Sequence, residues 1–290
     1  MTCRARYHWR EKAVELDGSN ASYHYQLAAV CGVLAEHASL FKKVSWAKRF
    51  KEEADKAAAL DQNNVDARFA LMEFYRQAPR LMGGDKRKAR QMVEEITKAD
   101  PARGYLDAAI LAREEKDDTS VEPLCSKALL AGPKSYDVLI GASEFYRSSQ
   151  SKSNLSEKYA RDALKLDPQR ATAYSSLAGL YAMEKRWSAL DEILAESETK
   201  VPDDFSPYYE AAWTLLVEGA DLPRAEGYLR KYLTQEPEGE APSLACAYWR
   251  LGLVLEKKGR KPEAIAEVET ALRLKPDLEE AKKDLKRLTE

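Results

Sequence analysis

Histidine is the scarcest reactive residue in this 290-residue chain: only His8, His24 and His37 occur. None forms the pair, four residues apart with an intervening glutamate, that sets two imidazoles on one helical face for zinc. They fall in separate stretches and read as solvated or packing imidazoles. Cysteine is almost as rare. Cys3, Cys31, Cys125 and Cys246 lie far apart with no C-x-x-C pair, which disfavours a disulfide framework and a thiolate metal site. The last three sit among small residues in helical stretches, where free cysteine acts as a small hydrophobe. There is no G-x-S-x-G elbow and no G-x-G-x-x-G after a strand. No apolar run approaches a membrane-spanning length. The opening MTCRARYHWREK lacks the apolar core of a secretory signal. As given, the chain is expected in the cytoplasm; a trimmed signal would make it periplasmic or secreted.

Carboxylates are plentiful, but they stand beside Lys and Arg, as in EKYARDALK and AEVETALRLK. Such spacing reads as solvated helix faces with i,i+4 pairs rather than an acid–base site. The expectation is therefore no enzyme, no cofactor and no metal. The net charge of −2 gives no overall pull towards nucleic acid or membrane. Its distribution is uneven: residues 1–103 carry a net +5 and the remainder −7. Nucleic-acid binding would use Phe41–Lys51 and Asp85–Arg90. These segments are interspersed with Glu52, Glu53, Glu94 and Glu95, so solvated faces are favoured.

What is present is a repeated phrase. REKAVELDGSN (Arg10–Asn20) returns as ADKAAALDQNN (Ala54–Asn64), ARDALKLDPQR (Ala160–Arg170) and VETALRLKPDL (Val268–Leu278). Each reads as the last turns of a helix followed by a stop. The stops, at Gly18, Gln62, Pro101, Pro133, Pro168, Pro202, Pro237 and Pro276, are 32 to 44 residues apart, the length of a helix pair with two short loops. EFYRQ (Glu73–Gln77) and EFYRS (Glu144–Ser148) are matching first helices. The best copy runs Tyr248-x-x-Leu251-Gly252-x-x-Leu255, Gly259, Ala264-x-x-x-Val268-x-x-Ala271, Pro276. It resembles the tetratricopeptide repeat (TPR), with an aromatic, a Leu-Gly step, a large residue, then Ala, a large residue, Ala and Pro. Tyr174-x-x-Leu177-Ala178-x-x-Tyr181 and Tyr208-x-x-Ala211-Ala212-x-x-Leu215 are further copies. Small residues in this pattern let antiparallel helices approach closely, large ones fill the gaps, and proline ends the second helix.

The resemblance implies an all-α superhelical solenoid. A lone second helix is expected at 3–17. Repeats follow at 20–63, 64–101, 102–133, 134–168, 169–202, 203–237 and 241–276, then a capping helix at 277–290. In the cap, Leu278, Ala281, Leu285 and Leu288 form one apolar stripe. The family also implies a scaffold or adaptor that binds a protein or peptide on its first helices. Carried over, that geometry makes Tyr25, Phe69, Glu73, Arg76, Glu144, Arg147, Tyr209, Trp213, Trp249 and Leu253 the partner-binding candidates. The Lys/Asn set with which some TPR proteins hold a chaperone's terminal carboxylate is missing: its places hold Tyr25, Ala29, Phe69 and Glu73. Residues 203–240 hold nine acidic and three basic residues among several aromatics. An apolar or mildly basic peptide is thus expected on Tyr209, Trp213 and Trp249. The alternative is an oligomeric assembly subunit that uses its uncapped first helix to pair with another copy.

One segment, RQAPRLMGGDKRKAR (Arg76–Arg90), looks at first like a phosphate cradle. It lacks the G-x-x-x-x-G-K-[ST] spacing and the preceding strand of a P-loop. It reads instead as a lengthened hairpin turn, with Asp85 as the next N-cap. Arg80, Leu81 and Met82 form an accessory loop, and Leu81 and Met82 are expected to tuck beneath the hairpin. A second lengthened turn is expected near Ala38–Trp46, enlarging the same edge.

Overall fold

The computed structural model of the chain describes residues 3–36, 38, 40–147, 152–235 and 242–290. His37, Ser148, Pro237 and the acidic residues at 236–240 lie outside the described residues. Among the described residues the protein is all-helical, with sixteen α-helices, one 3-10 turn and no strand. It divides into two compact units, residues 1–133 and 134–290.

The first unit holds α1 (Cys3–Leu16), α2 (Ala21–Glu36), α3 (Leu40–Leu60), α4 (Val65–Gln77), α5 (Lys86–Ala99), α6 (Pro101–Glu114) and α7 (Asp118–Ala131). Each packs on its chain neighbours. Leu71, Met72 and Tyr75 of α4, Ala54 of α3 and Ala89 and Val93 of α5 form a buried cluster, with Phe50 and Phe74 against it. Side-chain caps mark the helix starts. Asn64 accepts from the Ala67 amide at 2.9 Å, Asp85 from Arg87 at 2.9 Å and Asp100 from Arg103 at 3.0 Å. Each satisfies an amide that the helix itself leaves without a partner.

Two local expectations are corrected in this unit. The extra length near Ala38–Trp46 is not a loop: α3 begins at Leu40 and runs 21 residues. The stretch from Leu40 to Leu60 contains no glycine or proline, so nothing stops the helix propagating. Its early residue Trp46 meets Tyr7 of α1 edge-on, ring centroids 5.0 Å apart. Leu81 does not tuck under its hairpin either. The 3-10 turn Arg80–Met82 leaves it 99% exposed and Met82 half-buried. The Met82 and Gly84 amides both donate to the Pro79 carbonyl, at 2.8 and 3.1 Å, which fixes the turn. The Phe74 ring already stands against Gly83.

The second unit holds α8 (Tyr136–Arg147), α9 (Ser153–Leu166), α10 (Ala171–Met183), α11 (Trp187–Lys200), α12 (Ser206–Glu218), α13 (Leu222–Tyr232), α14 (Leu244–Lys257), α15 (Lys261–Leu274) and α16 (Glu279–Thr289). Neighbours pack in chain order. The first helices α8, α10, α12 and α14 also touch in succession, the arrangement of stacked helical hairpins. Tyr174, Leu177, Tyr181, Leu190, Leu215, Leu229, Leu251 and Val268 belong to one continuous core. Leu278, Ala281 and Leu288 are buried in it, with Leu285 partly so, so α16 covers the apolar face of α15.

Close approach depends on missing side chains. A Cβ on Gly104 of α6 would stand 2.4 Å from the Thr97 Cα of α5. One on Gly252 of α14 would stand 2.6 Å from a Val268 methyl and 3.0 Å from the Ala264 carbonyl oxygen of α15. The turns inside four hairpins share another device, a residue with positive φ: Lys116 (60°), Lys185 (56°), Gly219 (64°) and Gly259 (77°). Glycine carries no steric penalty there, whereas a lysine costs about 1–2 kcal/mol. Lys185→Gly should therefore raise stability by about 1 kcal/mol in urea melts. Gly104→Ala should lower it by about 2 kcal/mol, because the clash is with backbone that cannot step aside.

Candidate functional site

In the first unit, candidate residues converge on one side of α4 and α6. The Arg103 guanidinium lies over the Phe69 ring, 4.0 Å from its centroid. Its Nε donates to Asp107 Oδ1 at 3.2 Å. Arg76 is held twice, by Glu73 on its own helix (Nε to Oε1, 3.0 Å) and by Glu114 of α6. Tyr25 of α2 is half-buried, and burial raises its hydroxyl pKa, with the charge of Asp66 adding to the effect. Asp107 was not foreseen from sequence. It is fully buried, and its Oδ2 has no hydrogen-bond partner. Burial pushes its carboxyl up to about 7 against the pull of Arg103, with the charges of Glu73 and Asp100 adding to the rise.

Also in this unit, His24 of α2 is buried between Glu53 of α3 (Nδ1 to Oε2, 2.5 Å) and the Gly18 carbonyl (Nε2 to O, 3.0 Å). It joins two helices and a turn. Among the described residues no group of three or more His, Cys, Asp or Glu is placed to hold a metal. Cys31 and Cys125 are buried, and burial pushes their thiols up to about 12 and about 11, far from reactive thiolates.

The second unit carries the more continuous constellation, along its first helices. Arg147 of α8 donates to Glu144 on its own helix and to Glu210 of α12, each at 2.7 Å. Glu144 also accepts from Ser176 of α10 at 2.8 Å. The bridge from α8 to α12 passes over Gly179 of α10. A Cβ there would stand 2.3 Å from Arg147 Nη1 and 3.1 Å from Glu210 Cγ. Further along, Trp249 of α14 donates its indole N–H to Asp284 of α16 at 2.9 Å. Arg287 of α16 joins Asp284 to Glu256 of α14, at 2.9 and 2.8 Å.

Between these two charge networks lie Trp213 and Arg250. The Arg250 guanidinium is stacked 3.7 Å from the Trp213 ring centroid and 4.4 Å from that of Tyr209. Trp213, Trp249 and Leu253 are all half-buried. Tyr209 is not presented to a partner in this way: it is 6% exposed, and its ring packs 5.0 Å from Tyr232. Its place beside the repeat pattern still turns it to the core, beneath Arg250. The sequence reading missed Arg250. Its only signal was adjacency to Trp249, which says nothing of the aromatic rings it meets on α12.

Two outcomes test these arrangements. The folded-state pKa of Asp107 lies above its unfolded value of 3.8, so the folded chain holds that proton more tightly. Stability present below about pH 4 is lost as pH rises through about 7, by up to about 4 kcal/mol. Asp107→Asn should flatten this part of the profile in urea titrations. In a double-mutant cycle, Arg147→Ala with Glu210→Ala should give a coupling of about 0.5–1 kcal/mol. In a Gly179→Ala background that coupling should vanish while helicity persists.

Residues 4–108 match the family model described as regulator of microtubule dynamics protein 1-3. Residues 246–278 match the tetratricopeptide repeat model. Regulator of microtubule dynamics protein 3 from Bos taurus is 36% identical over 84 residues, which are 29% of this chain and 18% of that protein's length. Among solved structures, yeast Tom70 superposes with a TM-score of 0.66 at 15% identity, covering 99% of this chain and 77% of its own. A tetratricopeptide repeat protein from Parabacteroides merdae gives 0.55 at 16% identity, covering 91% and 99%. The type IV pilus biogenesis factor PilW gives 0.52 at 20% identity, covering 76% and 98%. Among the described residues no helix is long and apolar enough to cross a membrane. The stacked helix pairs, their small contact residues, the repeat match at 246–278 and the likeness to solved structures together show a tetratricopeptide-repeat fold, with a tetratricopeptide repeat at residues 246–278.

Proposed function

We propose that this chain is a non-enzymatic protein-interaction scaffold that receives a peptide segment of a partner along the first helices of its second unit. One observation carries the reading: Trp213, Trp249 and Leu253 stand half-buried on α12 and α14 around a stacked arginine. Large aromatics with an aliphatic neighbour and a polar rim supply most of the binding energy at protein interfaces. The surrounding ion pairs hold the rim residues in place, so little side-chain freedom is lost on binding. The fold class supports a scaffold role as well.

The match of residues 4–108 to the regulators of microtubule dynamics supports a second, broader element of the proposal: the scaffold serves the regulation of microtubules through its first unit. Residues 1–103 carry a net +5, and Lys86, Arg87 and Lys88 are exposed at the start of α5.

The peptide reading predicts that Trp213→Ala with Trp249→Ala retains helicity but weakens partner or peptide capture by about ten-fold or more. Unchanged capture would remove it. The microtubule reading predicts that the full chain pellets with polymerised microtubules above its level in a tubulin-free control. Retention in the supernatant at every protein concentration would remove that element alone.

A further inference from the structure

Arg250 stands on the second unit's first-helix face without an ion pair, and the charge of Glu210 reaches it without a direct contact. Arg147 is matched by Glu144 and Glu210, and Arg287 by Glu256 and Asp284. Arg250 has no ion pair or hydrogen bond among the described residues, and its Nε is buried without a partner. A guanidinium presents five N–H donors in a rigid fork. Leaving them unmet where water is partly excluded is costly. Burial accordingly holds the Arg250 pKa below the usual arginine value. The rings of Trp213 and Tyr209 offer only their faces. That contact orients the guanidinium plane but satisfies none of its edge N–H groups.

Resting on the peptide-groove reading above, we infer that Arg250 is the receptor for one acidic side chain of the bound segment, an Asp or Glu flanked by apolar or basic residues. A carboxylate reaching the fork makes charge-assisted hydrogen bonds to the unmet N–H groups. The stacking on Trp213 holds the fork in orientation beforehand, so binding loses little rotamer freedom. The neighbouring charges set the selectivity. Glu210 lies on the Trp213 helix, one turn before that residue, while Glu256 and Asp284 lie on the α14–α16 side. A run of acids, or the phosphates of a nucleic acid, would place further negative charge against these carboxylates. A single acid meets the stacked arginine fork, and basic residues beside it face the acidic rim. The partner chemistry expected from sequence alone, apolar to mildly basic, is thereby given a fixed acidic position.

The test selects random short peptides on the immobilised full chain from two display libraries, one with peptides fused at their C-termini and one with free C-termini. The expected result is a single position enriched in Asp or Glu in the fused library. A resynthesised, amidated peptide should bind Arg250→Gln about ten-fold or more weakly than wild type, with Arg250→Lys in between. Replacing the peptide's acid by its amide should cost the same factor on wild type and almost nothing on Arg250→Gln. Where Arg250→Gln lowers stability, the same peptide exchange on Arg250→Lys, which keeps the charge but not the fork, decides the matter: the acid should then be worth less than on wild type. Binders without a fixed acid, or with equal affinity for Arg250→Gln, would overturn the Arg250 assignment while leaving the groove. Enrichment confined to free C-termini would overturn the side-chain source. Failure to select any peptide, or selected peptides indifferent to Trp213→Ala with Trp249→Ala, would overturn the groove reading and this inference with it.

Discussion

Close helix-to-helix approach at small residues is the constraint on which each unit is built. Gly104 lets α6 stand against the backbone of α5, and Gly252 lets α14 receive Val268 of α15. Alanines such as Ala178, Ala212 and Ala264 are wholly buried at comparable places. Where no side chain separates two helices, large neighbours such as Tyr174, Leu190 and Leu229 can fill the remaining gaps completely. A single helix pair of this kind buries too little apolar surface to stand alone, and stacking supplies the rest.

The same economy of side chains shapes the candidate binding face of the second unit. Gly179 leaves a channel across α10 through which Arg147 reaches Glu210. That ion pair and the Arg287 network settle most of the charge on the face. Arg250 is left to be held by stacking alone. Stacking orients a guanidinium without consuming its donors, which distinguishes Arg250 from Arg147, whose donors are taken by carboxylates. In the first unit Arg103 combines both modes, lying over Phe69 while giving its Nε to Asp107. There the unmet group is the buried carboxylate oxygen rather than the cation.

Much of the architecture was legible in the amino-acid string, because it is set by local spacing. The Tyr248–Pro276 pattern, the prolines that end second helices, the cap at Asp85 and the apolar stripe of α16 all lie within a few turns of chain. Helix periodicity and capping chemistry act over such distances, so they can be read in one dimension. The misreadings near Ala38–Trp46 and at Leu81 have local causes too. An extra stretch between two stops does not say whether it lengthens a loop or a helix. An apolar residue in a turn goes inside only where the turn aims it there, and the 3-10 turn Arg80–Met82 leaves Leu81 exposed.

The candidate site was legible only as a set of helix faces. Tyr25, Phe69, Glu73, Arg76, Trp213 and Trp249 follow from counting along first helices, but their partners do not. Arg147 meets Glu210 across 63 residues, and Trp249 meets Asp284 across 35. Whether Tyr209 faces a partner or the core depended on Tyr232 of the next helix, and Arg250 became notable only once Glu210 was seen to give its hydrogen bond to Arg147 instead. The sequence by itself determined the repeat, the helix pairs and the residues that let them close. The tertiary structure alone decided which charges are met and which are left free, because pairing depends on distances between helices that no spacing along one helix contains.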